Sequence, residues 1–167
     1  YAGPGVVTFP ETLGLKREEM PQIASEDMQE FQAWLAEQGV ESNVDRVTAD
    51  SLKATQKELN MEKVAGMRRA KSVEELAEKP ALVSNDGYLI DGHHRWWAVR
   101  MEGEKELFSV IRVGLPIKDL LNLAREYPKV SYKSPLDETE SVVEEVLNLI
   151  LGKTEPNYSA LQAGELL

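Results

Sequence analysis

The chain has two histidines, His93 and His94, and they are adjacent, inside the stretch IDGHHRWWA at residues 90–98. Asp91 and Gly92 precede them, and Arg95, Trp96 and Trp97 follow. The pattern predicts a strand ending at about Ile90, a tight turn at Gly92 and a helix starting at about His93. A helix start presents unpaired N–H groups and partial positive charge, which suits a phosphate. Gly92 would let a ligand approach the backbone. Arg95 could make a forked contact with phosphate. His93 or His94 could donate to a phosphate oxygen or move a proton near neutral pH. Asp91 could orient a histidine or bind Mg²⁺ beside the phosphate. The same residues also fit a plain capped turn, with Asp91 as the cap. Neighbouring helical residues diverge by about 100°, so the two histidines are not a shared zinc pair. For the same reason one tryptophan is expected in the core and the other half exposed.

The rest of the composition narrows the chemistry. The chain has 167 residues, enough for one domain with extensions. It carries 29 acidic against 19 basic residues, a formal net charge of −10, which speaks against broad phosphate-driven binding to DNA. With no cysteine there is no disulfide, thiolate site or cysteine nucleophile, and an intracellular setting fits. No apolar run approaches the roughly 20 residues that span a bilayer. The opening YAGPGVVTFPETLG does not read as a signal peptide.

The elements that must position this turn follow from periodicity. Residues 1–22, rich in Gly and Pro, read as an extended arm. A helix is expected over 25–38, with Ser25 as N-cap, Phe31, Trp34 and Leu35 inward, and Gly39 as stop. Val44 to Val47 is a strand candidate, and VTADSLKATQKELNMEKV then passes through a loop into a helix capped by Asn60. Ser72 and Glu75 form a capping box, and Pro80 ends that helix. ALVSNDGYLID reads as two strands around an Asn85-Asp86-Gly87 hairpin turn. Leu107 to Val113 is another strand, and Ile117 to Glu126 another helix. A last helix is expected from Thr139 or Ser141 to about 151, with Val142, Val143, Val146, Leu147 and Ile150 apolar. The class is α+β, a small mixed sheet with surrounding helices and helical extensions at both ends.

DGHHR, after a hairpin and before a helix, resembles the second signature of the ParB/sulfiredoxin superfamily. That superfamily carries a Gly-x-x-Arg type turn at a helix start. The motif is similar to that of its free serine kinases and of ParB-like proteins from bacteriophages. Residues 47–64 resemble the first signature, a strand, a polar T-Q-x-E-like box and a helix. The likeness covers about residues 44–127, flanked by the arm at 1–22, a helical segment at 23–43 and a C-terminal extension at 128–167. It implies that the two signatures share one nucleotide, ATP or a related one, with Mg²⁺. Gly92, His93, His94 and Arg95 would hold phosphates, Gln56 and Lys57 would line the pocket, and Glu58 would sit where kinase-like members place a catalytic acid. Asp91, His93 and His94 complete the expected catalytic set, with Asp91 the expected contact to Mg²⁺. Sulfiredoxin activity itself is excluded, because that chemistry needs a cysteine.

Three functions are therefore expected in competition. The first is a nucleotide-binding domain that transfers or hydrolyses a phosphoryl group. The second is a DNA nuclease of ParB-like type, which the net charge opposes. The third is a non-catalytic phage structural or interaction module, with protein contacts through the arm or the C-terminal tail. The matching locations are a cytoplasm, a host's if the gene is a phage's, or a virion.

Overall fold

The sequence LFSVIRV forms β8 (Leu107–Val113), and it is apolar at most positions because both of its faces are covered. In the computed structural model, which describes residues 5–132, β8 is the middle of a three-stranded sheet. β4 (Ser42–Thr48) pairs with it antiparallel, from Ser42 opposite Val113 to Thr48 opposite Leu107. β7 (Ala81–Val83) pairs with it parallel, Ala81 opposite Val110. Alternation along β8 sends Phe108 and Val110 to one face and Ile111 and Val113 to the other.

Each face has its own helices. Under Phe108 and Val110 lie α2 (Met61–Ala70), α3 (Val73–Glu78) and α4 (His93–Glu102), contributing Val64, Met67, Leu76, Trp96 and Val99. On the other face lie α1 (Met28–Glu37) and α5 (Ile117–Glu126), with Phe31, Leu35, Leu120, Leu121 and Ala124 buried against Ile111 and Leu82. The chain is thus mixed α and β, as expected of an α+β protein, with helices on both sides of a small sheet.

Several local expectations hold. Asn60 caps α2, its side-chain oxygen accepting from the N–H groups of Glu62 and Lys63. Ser72 and Glu75 form the capping box of α3. Trp96 is core, its Nε1 donating to the Ala49 carbonyl at 2.7 Å, while Trp97 is half-buried.

Others are corrected. Ser25 belongs to a 3₁₀ turn, and the helix proper begins at Met28. The strand expected at Val44 to Val47 extends over Ser42–Thr48. The second arm of the Asn85-Asp86-Gly87 hairpin is not a full strand. It meets Val83 at one antiparallel bridge, through Leu89, and the Leu82 N–H that would continue the ladder goes to Asp91 Oδ1. Lys53 donates to the Gly87 carbonyl and accepts from Leu89 N–H, both at 2.9 Å. The loop expected before Asn60 contains two strands, β5 (Ala54–Gln56) and β6 (Glu58–Asn60).

The partners of those strands come from the N-terminal arm, which is built into the fold. β1 (Val6–Thr8) pairs antiparallel with β6, and β2 (Thr12–Leu15) parallel with β5. Farther on, β3 (Pro21–Gln22) pairs with β9 (Ser131–Tyr132). Main-chain hydrogen bonds are what hold the arm, and such bonds leave little trace in side-chain pattern. The helix expected from Thr139 or Ser141 to about 151 lies outside the described residues. No helix among the described residues is long and apolar enough to cross a membrane.

Candidate functional site

The strand-to-helix turn is present where the sequence puts it, with α4 starting at His93. Gly92 occupies its N-cap position with φ +72, a left-handed conformation that favours glycine. A Cβ there would come within 2.9 Å of Arg95 Nη2 and 3.2 Å of the Ala81 side chain. The space that Gly92 leaves open is thus taken by Arg95, from within the chain. Asp91 does not cap α4. Its Oδ1 accepts from the Leu82 N–H at 2.7 Å and ties the turn back to β7.

Arg95 folds back against Gly92. It is buried, at 7 % exposure, and its Nη1 donates to the carbonyls of Leu76, at 3.0 Å, and Lys79. The guanidinium also lies 5.2 Å from the Phe108 ring centre. These contacts satisfy the C-terminal end of α3, whose last carbonyls have no partner within the helix. In this arrangement Arg95 is a positioning residue, and the forked phosphate contact expected of it is spent on main chain.

The histidines make the connection that the sequence cannot show. His93 Nε2 faces the N–H of Thr55 at 3.1 Å and of Gln56 at 3.3 Å, with Thr55 Oγ1 also at 3.1 Å. His94 Nε2 accepts from the Asn60 N–H at 3.0 Å. Backbone N–H groups only donate, so Nε2 is the bare nitrogen of each ring. His93 is fully buried, and desolvation pushes its pKa down from 6.5 to about 3. It therefore remains neutral at physiological pH. Phe9 packs on its ring with centres 5.7 Å apart.

The two stretches singled out by sequence, Gln56 to Glu58 and Asp91 to Arg95, are thus brought together, with the histidines as the link. Gln56 is buried and donates from Nε2 to the Glu58 carbonyl at 2.7 Å. Lys57 is exposed and Glu58 half-buried, so these two offer charge to a ligand. No three His, Asp or Glu side chains converge as a metal cage among the described residues. Of the cations on α2, Lys63 is buried, whereas Arg68 is exposed and ion-paired with Glu102.

Asn60 was legible as a cap but not as a site residue. Its side chain is fully buried. Its oxygen is committed to the α2 N–H groups, which fixes the amide orientation. The Nδ2 group has no hydrogen-bond partner among the described residues. A buried donor left this way costs on the order of 1–3 kcal/mol.

No family model, curated protein or solved structure matches this chain.

Proposed function

We propose that this chain is a nucleotide-binding domain of ParB/sulfiredoxin-like type that holds a phosphate where β5 and β6 meet the start of α4. The observation that carries the reading is that His93 and His94 hold the Gln56 to Glu58 box, with its exposed Lys57, against the α4 start. Lys57 supplies an exposed cation and the α4 start a favourable dipole. Glu58 is the group for phosphoryl transfer. Its carboxylate takes the proton of an attacking hydroxyl or water as the new P–O bond forms, and the bridging oxygen departs on the nucleoside diphosphate. His93 and His94 position the box, and Arg95 supports the turn from behind.

Mg²⁺ would rest on the nucleotide's own phosphates and a single carboxylate, Asp91 or Glu58, which suits an ion that keeps most of its waters. It would supply charge neutralisation to the phosphates.

One observation favours the non-catalytic module instead. Asp91, His93, His94 and Arg95 each spend a polar atom on a neighbouring main chain, so the motif accounts for itself as structure. The net charge of −10 keeps the nuclease reading behind both. Calorimetry with ATP or CTP and Mg²⁺ separates these functions, using Lys57→Ala, which removes the exposed cation of the box. Saturable binding that weakens in the variant supports the nucleotide site. A flat titration of the folded wild type favours the interaction module.

A further inference from the structure

Beside the Gln56 to Glu58 box, on the arm side, lies a recess of about 470 Å³. It is lined by the loop from Thr8 to Thr12 together with Lys53 and Tyr88. That volume is within the range of roughly 300–1,000 Å³ common for small-molecule sites. The recess borders the box directly. Thr8 is paired with Glu58, Phe9 N–H donates to the Lys57 carbonyl at 3.0 Å, and Thr12 Oγ1 donates to the Gln56 carbonyl at 2.7 Å.

The lining has the elements of a base-and-sugar site. Lys53 is exposed, and its ammonium rests 5.1 Å from the centre of the half-buried Tyr88 ring. The lysine stem is flexible, so the ammonium can swing from the ring to a ribose oxygen or a ring nitrogen of the base and uncover an aromatic face. Glu11 is exposed on the arm and can accept from a ribose hydroxyl or an exocyclic amine. Phe9, buried against His93 and Trp96, fixes the floor.

We infer that this recess takes the base and sugar of a nucleoside polyphosphate whose phosphates lie at the Lys57–Asn60 seam. The N-terminal arm is then one wall of the binding site. The inference rests on the phosphate site proposed above, and the two can fail separately.

The test compares Mg²⁺–ATP with Mg²⁺–tripolyphosphate, which carries the phosphates without base or sugar, by titration calorimetry on the whole chain. Wild type should bind ATP at least about tenfold tighter, the scale of one base–aromatic stack. Tyr88→Leu and Lys53→Ala should each remove most of that preference and leave tripolyphosphate affinity within about twofold. Lys53 is exposed, so its variant decides the matter even if Tyr88→Leu folds poorly. Equal affinity for the two ligands, or an ATP preference that survives Lys53→Ala, overturns the recess while the phosphate site stands. Binding of neither ligand overturns both.

Discussion

His94 Nε2 accepts the N–H of Asn60 at 3.0 Å, and Asn60 in turn caps α2, so one imidazole joins the start of α4 to the start of α2. His93 makes the parallel connection to Thr55 and Gln56. The paired histidines therefore act first as acceptors that satisfy main-chain donors in a buried seam.

From this follows a stability effect. His93→Ala leaves the Thr55 and Gln56 N–H groups buried without an acceptor and opens a void beneath Phe9. Unfolding free energy should fall by roughly 3 kcal/mol or more, since each stranded donor costs about 1–3 kcal/mol. His94→Ala strands the Asn60 N–H and should cost less. Urea unfolding of the two variants measures the difference; a loss below about 0.5 kcal/mol for His93→Ala would contradict this account.

The same residue sets a pH dependence. His93 titrates at about 3 when folded and at its ordinary 6.5 when unfolded. Between those values the unfolded chain binds the proton and the folded chain does not. Stability from this group is therefore present above pH 6.5 and lost as pH falls toward 3, by up to about 1.4 kcal/mol per pH unit. Urea unfolding at pH 7, 6 and 5 should show wild type losing more stability on acidification than His93→Gln. Parallel pH curves would refute the assignment.

Arg95 separates stability from binding. Removing its guanidinium strips the carbonyls of Leu76 and Lys79 of their donor, at a cost of about 1.5–3 kcal/mol. Arg95→Ala should lower the thermal midpoint by several degrees, while the folded protein keeps ATP affinity within about twofold. A tenfold loss of affinity without a change in midpoint would return Arg95 to the phosphate.

Gly92→Ala tests the turn by another route. The left-handed φ costs a residue with a Cβ about 1 kcal/mol or more, and the approach to Arg95 and Ala81 adds to it. A loss of roughly 2 kcal/mol is expected in chemical denaturation. Gly14 also has positive φ but nothing within 4 Å of its Cβ position, so Gly14→Ala should lose less.

Lys57 and Glu58 carry the proposed chemistry and should divide it. Lys57→Ala should weaken ATP binding about three- to tenfold and leave stability within about 0.5 kcal/mol, because the side chain is exposed. Glu58→Gln should retain binding and reduce any ATP or ADP turnover by 10²-fold or more, the typical contribution of a general base. Unchanged turnover in Glu58→Gln would remove it from the reaction.

What the sequence by itself determined is local. The Asn60 cap, the Ser72–Glu75 box, the Gly92 turn and the apolar run of β8 follow from rules spanning a few residues. The α+β class follows from their order. It also singled out the two stretches that meet at the seam. Tertiary structure decided what their atoms do. Arg95 and His93 carry groups able to bind phosphate or move protons, but main-chain groups 16 to 38 residues away claim those atoms first. The arm, read as a separate extension, holds three strands, two of which pair with the main chain of β5 and β6. Main-chain hydrogen bonding is nearly blind to residue type, and burial depends on neighbours distant in the chain. Pattern therefore reached the elements, and only packing assigned the roles of the side chains between them.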